Sequence, residues 1–466
     1  LKNNVERGGN AKVREVIHIF HTNDLHSHFT YWKRSQSFIQ IQRQLMAQKG
    51  ETSFLVDLGD HLDRSNLYTE ATLGKGNIKM LNDADYDVVT IGNNEGITLS
   101  YNLLYHLYDD AKFEVVVANL YSQSEENPEW MKPYTILTTQ YGTKIAVIAA
   151  TAPFDLFYKE LGWDVTNPRT ELVKLAFELK KQADIIVCLS HLGITEDELL
   201  AQECPIIDVI FGSHTHHIFE TGRVENSVLL TGGGKFGQYT GQLTMEFDHA
   251  TREVVEKSDR LFENALLPTV GDEEKWLSSL QKEAKAILEK PIFNLTKPYN
   301  KEWFHRSQLS DLFAESMYDY TEADCVMFNA GIFVEPLRKG LISTYDIHKI
   351  FPHPINICVV QITGNELKEI FTQSENEEWP RLELKGLGFR GIIFGKILNY
   401  GLEMTKQREL YINGELMVPD RIYRLATLDL FTFGYFFPSF KYAKKQYILP
   451  EFIRDVFKNY CIKKFQ

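Results

Sequence analysis

An α/β half followed by a smaller α+β half is what this sequence predicts, and three observations carry that reading. The 466 residues exceed what one hydrophobic core ordinarily organises. Through the first half, short Val- and Ile-rich runs alternate with helix-length amphipathic stretches. Beyond Pro298 the pattern gives way to shorter elements richer in aromatic residues.

The apolar runs are Val13–Phe20, Ser53–Leu58, Asp87–Ile91, Phe113–Ala118, Lys144–Ala149, Asp184–Leu189 and Ile206–Phe211. Amphipathic stretches such as Ser37–Gln48 and Arg169–Gln182 lie between them. Near-continuous β-branched runs separated by helix-length segments are the mark of buried parallel or mixed sheets covered by helices. Val228–Leu230 and Thr240–Asp248 read as closing strands. Charged residues and helix formers dominate Gly271–Lys290, which reads as a connecting helix. The expected division is therefore a first domain over residues 1–265, a linker with its helix over 266–300, and a second domain over 301–466. In that second domain Gly331–Gly340, Gly386–Gly401 and Asn413–Pro419 read as loops, and Ile448–Ile462 as a terminal amphipathic helix.

Composition narrows the function. Hydrophobic residues at 44% and charged residues at 24% describe a globular protein. The net charge of −13, from 63 acids against 50 bases, argues against nonspecific binding to a nucleic-acid polymer. No run of about 18 apolar residues occurs, so no membrane span is expected. The five cysteines have no Cys-x-x-Cys spacing, and several sit in apolar runs where a thiol acts as a small hydrophobe. Together with the polar stretch Leu1–Gly9, which lacks the apolar core of a leader, they make a cytoplasmic location the expectation.

The chemistry sits at strand ends. Asp24-Leu-His26 follows the first run, Gly59-Asp60 the second, Gly92-Asn93 the third, Ser190-His191 the sixth, and Gly212-Ser-His214-Thr-His216 the seventh. In open α/β sheets, ligands bind beyond the carboxyl ends of the strands, and parallel order would bring these five loops together. Carboxylate, imidazole and amide oxygen form a donor set for Mn, Zn, Fe, Co or Mg rather than for a thiolate-bound metal. Seven donors (Asp24, His26, Asp60, Asn93, His191, His214 and His216) are too many for one ion and natural for two divalent ions sharing a carboxylate. Such a pair clamps a phosphoryl group and acidifies a shared water. Any one piece alone is weak, since Gly-Asp and Gly-Asn are ordinary turn dipeptides and His-x-His pairs are usually structural. Five pieces in order, each beyond a strand, carry the reading.

That ordered series resembles the calcineurin-like metallophosphoesterases, and with the second half it is similar to bacterial 5'-nucleotidases and 2',3'-cyclic-nucleotide phosphodiesterases. The resemblance runs from about Val16 to about Pro438. It implies a four-layer α/β sandwich first, then a smaller substrate-binding α+β domain. It also implies one ion on Asp24, His26, Asp60 and His216, and the other on Asp60, Asn93, His191 and His214. In the second half, Asp324–Ile332 is similar to the strand and loop that lead into the family's Asn-Gly-Gly-x-Arg segment, which places Asn329 and Gly331 as substrate-binding residues. Phe389 and Arg390 stand where the family has its first base-stacking aromatic. The implied activity is hydrolysis of nucleotides or nucleotide-like phosphoesters and phosphoanhydrides, with a nucleotide-like small molecule as partner.

Three departures qualify the resemblance. The family's Gly-Asn-His-Glu-Phe-Asp reads Gly92-Asn93-Asn94-Glu95-Gly96-Ile97, so its His-Asp dyad is absent. Its substrate-binding arginine is Phe333, and its second stacking loop reads Phe433-Gly434-Tyr435-Phe436-Phe437. Asn94, His28 and Arg64 are the candidate catalytic helpers that remain. An alternative reading follows: a metal- and nucleotide-binding protein with little turnover. His18 reads as a core histidine, and His217 as a neighbour of the ligands rather than an eighth one. Thr231–Gly237 reads as a turn before the last strand, because a phosphate loop would need a Lys-Ser/Thr ending and a following helix.

Overall fold

A computed structural model describes residues 14–466 except 125, 385 and 387; the stretch Leu1–Gly9 lies outside the described residues. The chain divides into two compact units, one formed by Leu1–Leu62 with Lys75–Leu277 and the other by Asp63–Gly74 with Ser278–Gln466. In place of the expected continuous first domain over 1–265, the segment Asp63–Gly74 groups with the second unit, and the division falls inside the connecting helix Glu273–Leu288.

The first unit is built on two sheets. The seven-stranded sheet runs in the order Glu253–Glu263, Tyr239–Asp248, Arg14–Thr22, Thr52–Asp57, Val88–Val89, Glu114–Val116, Met131–Lys132. The six-stranded sheet runs Arg223–Glu225, Val228–Gly232, Val209–Gly212, Ile185–His191, Lys144–Thr151, Tyr134–Thr138. Pairing is parallel from Arg14–Thr22 through Met131–Lys132, and again among the four central strands of the other sheet. The period of two decides what each face covers. Ile145, Val147 and Ala149 join Ile17, Ile19 and Val56 in a core between the two sheets. Ala146, Ile148 and Ala150 face the other way, onto Leu172, Ala176 and Leu179 of helix Pro168–Leu179 and Leu200 of helix Ile194–Glu203. On the seven-stranded side, helix Trp32–Lys49 packs against Thr52–Asp57. The layers are thus helix, sheet, sheet, helix. The expected core histidine is confirmed: His18 is buried between Thr244 Oγ1 and Glu51 Oε2, each 3.1 Å away.

The second unit has a five-stranded sheet in the order Ile397–Tyr400, Cys325–Asn329, Ile422–Leu428, Asn356–Thr363, Lys444–Phe452. Its helices include Gln308–Thr321, Gly364–Ser374 and Ile453–Phe465. Two expectations need correction. Ile397–Tyr400, expected in a loop, is a strand antiparallel to Val326–Asn329. The expected terminal helix Ile448–Ile462 begins only at Ile453, because the residues before it are committed to pairing with Asn356–Gln361. In both places the sheet's need for a hydrogen-bonded edge overrides local composition.

Candidate metal centre

Five of the seven expected ligands adopt left-handed backbone: Asp24 (φ 48°), His26 (φ 47°), Asp60 (φ 52°), His214 (φ 71°) and His216 (φ 57°). For residues with a Cβ this conformation costs of order 1–3 kcal/mol each and persists only where surrounding structure enforces it, which is typical of functional sites. Backbone bonds do the enforcing. Asp24 N–H donates to Gly59 O at 3.1 Å, and His26 N–H to Asp60 O at 2.8 Å. These bonds lock the first ligand loop against the second. The second loop is locked to the third: a Cβ on Gly92 would lie 2.1 Å from Asp60 Oδ1 and 2.6 Å from the His191 ring. No side chain fits there, which is why glycine precedes Asn93.

The ligand atoms converge. His191 Nε2 lies 3.5 Å and His26 Nε2 3.6 Å from Asp60 Oδ2. His216 Nε2 lies 3.5 Å and His26 Nε2 3.9 Å from Asp24 Oδ1. Two sets, Asp24/His26/His216 and Asp24/Asp60/His191, each offer one donor atom per residue within 4.8 Å of the others. The His214 ring stands 5.3 Å from that of His191, centre to centre. Three ligand atoms are buried yet make no hydrogen bond among the described residues: Asp24 Oδ1, Asn93 Oδ1 and His191 Nε2. Unsatisfied buried polar atoms are costly, and three of them converging on one point fit a cation. His191 is also oriented for it. Its Nδ1 lies 2.7 Å from Leu58 O, an atom that can only accept, so Nδ1 carries the proton and Nε2 turns to the cluster.

Electrostatics agree. Burial pushes the Asp24 and Asp60 carboxyls up, but hydrogen bonds and charge from the surrounding histidines outweigh it and hold both below the ordinary range. Burial alone would lower His191, yet the Asp60 carboxylate lifts it to about 10, whereas burial and the neighbouring His191 bring His214 down to about 4. Two buried carboxylates thus draw positive charge into the cluster.

Residues not singled out from sequence brace the ligands. Glu95 accepts from the backbone N–H groups of Asp60 (2.9 Å), Gly92 (2.8 Å) and Leu62 (3.0 Å), joining the second and third loops. Ser213 Oγ donates to Asp24 Oδ2 at 2.6 Å. Asn23 Nδ2 donates to Gly234 O at 2.6 Å, and Phe236 N–H to Asp24 O at 2.8 Å, so the Thr231–Gly237 turn packs onto the first ligand loop. Ser213 and Glu95 lie inside the ligand motifs, but which way their side chains turn depends on long-range partners.

The candidate helpers fall in different places. The Asn94 amide is engaged by ligand residues: Nδ2 lies 2.7 Å from His26 Nδ1 and 3.2 Å from Asp60 Oδ2. His28 is exposed and stacks on Phe236, ring centres 3.9 Å apart, while Phe236 also meets the His26 ring edge-on. Arg64 is in the second unit, buried, with Nε and Nη2 donating to Glu70 at 2.8 and 3.2 Å.

The expected substrate-binding residues of the second unit are occupied by internal contacts. Asn329 Nδ2 and Gly331 N–H both donate to Phe394 O, at 2.7 and 2.9 Å. Phe389 is only 3% exposed and lies parallel to the His353 ring at 5.2 Å. Arg390 Nη2 donates to Asp63 Oδ2 at 2.6 Å. Phe333, in place of the family's arginine, is fully buried among Phe313, Phe328 and Phe351. The exposed aromatics of the neighbouring loop are Phe433 (45%) and Tyr435 (72%).

Comparison with known proteins matches this architecture. Residues 17–217 match the calcineurin-like phosphoesterase family and residues 288–435 the 5'-nucleotidase C-terminal domain. A Bacillus subtilis protein described as an uncharacterized metallophosphoesterase, YunD, is 39% identical over 455 residues, covering 95% of this chain and 98% of that one. Human 5'-nucleotidase is 22% identical over 413 residues, covering 76% and 71%. Among solved structures, the 5'-nucleotidase precursor of Thermus thermophilus (TM-score 0.60, 20% identity, 97% of each chain) shares the fold. So does the NAD nucleotidase of Haemophilus influenzae (TM-score 0.65, 15% identity, 97% of each chain). The chain belongs to the metallophosphoesterase family whose calcineurin-like domain is followed by a 5'-nucleotidase C-terminal domain, and it is a metal-dependent phosphoester hydrolase.

Proposed function

We propose that this hydrolase uses two divalent ions to cleave nucleotide-like substrates that carry good leaving groups. One ion would be held by Asp24, His26, Asp60 and His216, the other by Asp60, Asn93, His191 and His214. The convergence of three unsatisfied buried donors among these residues is the observation that carries the reading. When bound, the ions supply Lewis-acid polarisation of phosphoryl oxygens and acidify water. Asp60 is the natural shared ligand, since its carboxylate is approached by both His26 and His191. His28, exposed and stacked on Phe236, is the imidazole that can meet an incoming phosphoryl group from the rim. Stacking of a planar group falls to Phe433 and Tyr435, because Phe389 is buried against His353. The five cysteines, all unpaired and buried, support a reducing, cytoplasmic setting.

Asn94 supports the preference for good leaving groups. A neutral amide cannot deliver a proton, and this one is already bonded to His26 and Asp60. General acid catalysis is typically worth about 10²–10⁴-fold, and it matters most when the departing oxygen is a basic alkoxide. Nucleoside diphosphates, nucleotide sugars and activated diesters should therefore turn over faster than simple nucleoside monophosphates. With Mn²⁺ added, rates measured across aryl phosphodiesters should fall steeply as leaving-group pKa rises, and Asn94→His should raise AMP turnover selectively. AMP ranking among the best substrates, with a flat leaving-group dependence, would defeat the preference; no turnover with any divalent ion would defeat the enzymatic reading of this cluster.

A further inference from the structure

His217 follows the last ligand but turns away from the cluster. Its Nε2 lies 3.2 Å from Thr231 O and its Nδ1 3.2 Å from Thr215 Oγ1. A carbonyl oxygen only accepts, so Nε2 carries the proton and Nδ1 presents a lone pair to the Thr215 hydroxyl. Thr215 Oγ1 in turn accepts from Ile194 N–H at 3.0 Å. The result is a directed chain of hydrogen bonds from the start of helix Ile194–Glu203, through Thr215 and His217, to the end of strand Val228–Gly232. Thr215 stands between the two ligands His214 and His216, and both of these need left-handed backbone.

The fold keeps a slot open for this ring. A Cβ on Gly212 would lie 2.9 Å from His217 Cε1 and Nε2, and a Cβ on Gly232 would lie 2.3 Å from His217 Cδ2. Both glycines end strands of the six-stranded sheet, so a side chain at either one would push the imidazole out. Main-chain bonds complete the hold: Gly234 N–H donates to His217 O at 3.0 Å, and Phe219 N–H to Gly232 O at 2.9 Å. Burial lowers the pKa of His217, in keeping with the neutral form that the bonding requires.

We infer that His217 is a positioning residue: its neutral imidazole, seated between Gly212 and Gly232, holds the His214-Thr215-His216 segment in the backbone geometry that metal binding requires. This rests on the proposed metal centre. Residues that orient metal ligands without touching the metal typically account for about 10–100-fold in affinity. Mn²⁺ affinity is measured by competition with a fluorescent chelator on full-length wild type, His217→Ala, His217→Gln and Gly232→Ala. Thermal melts of each metal-free protein accompany the titrations.

His217→Ala and Gly232→Ala are each expected to weaken Mn²⁺ binding about 10- to 100-fold while the metal-free protein still melts cooperatively. His217→Gln, whose amide can donate to Thr231 O and accept from Thr215, is expected to recover most of the affinity. Affinity in His217→Ala indistinguishable from wild type would overturn the inference. So would a loss in His217→Gln as large as in His217→Ala. Should Gly232→Ala fail to fold, the His217 pair decides alone. Wild type that binds no Mn²⁺ would overturn the metal centre itself, an outcome distinct from either of these.

Discussion

Asp60 shows how much one residue is asked to do. Its carboxylate meets His26 and His191, accepts from Asn94 N–H at 2.7 Å, and sits on a left-handed backbone that Glu95 braces. Asp60→Ala should abolish turnover and remove most of the bound metal, read by elemental analysis after desalting; two ions per chain in that variant would contradict its bridging role. Phe389 makes the opposite case. As a buried ring stacked on His353, it should behave as core: Phe389→Ala is expected to cost about 3–5 kcal/mol of stability and leave the Michaelis constant unchanged. Phe433→Ala or Tyr435→Ala should instead raise the Michaelis constant with little effect on melting, since stacking on an aromatic is worth roughly 1–3 kcal/mol per base. A raised Michaelis constant in Phe389→Ala alone would return the stacking role to that residue.

The segment Asp63–Gly74 is held in the second unit by charge. Glu70 is buried and accepts from Arg64 Nε and Arg454 Nη2, both at 2.8 Å. Both guanidiniums also lie over the Phe452 ring, at 4.6 and 4.5 Å. Arg454 Nη1 donates to His353 O at 2.9 Å, and His353 Nε2 to Ile332 O at 2.9 Å. Burial pushes the Glu70 carboxyl up, but Arg454 and Arg64 outweigh it and hold its pKa well below the usual range. A depressed folded pKa adds stability that is complete above the unfolded value of about 4.3 and is lost as pH falls below it. Glu70→Gln leaves two buried cations without their partner, so it should cost about 3–5 kcal/mol at neutral pH. Denaturant melts of wild type and Glu70→Gln should converge as pH drops from about 5 toward about 2. A gap that stays constant over that range would show that the carboxylate charge is not what holds the segment.

For the whole molecule, metal binding and folding are linked, because the ligands come from five loops that only the folded sheets assemble. Binding to the folded state alone stabilises by about 2.7 kcal/mol when free metal is about 100 times its dissociation constant. Added Mn²⁺ should therefore raise the midpoint of thermal unfolding of the chelator-treated protein, and Asp60→Ala should abolish that rise. An equal rise in Asp60→Ala would place the responsible ions elsewhere.

The alternation of Val- and Ile-rich runs with amphipathic stretches was enough to read the first unit's layers, because period and side-chain type are local properties. The order of Asp24, His26, Asp60, Asn93, His191, His214 and His216 was equally legible, since parallel strands carry whatever follows them to one edge. Tertiary structure alone decided which neighbours those and other side chains would meet. Arg390 finds Asp63 across 327 positions, and Arg454 finds Glu70 across 384. Phe389 turns to His353 and His217 to Thr231, contacts that no local pattern encodes. Periodicity states which face of an element is apolar; the partner that face or a polar group finds is set by long-range packing, and it is the partner that makes a residue a ligand, a brace or part of the core.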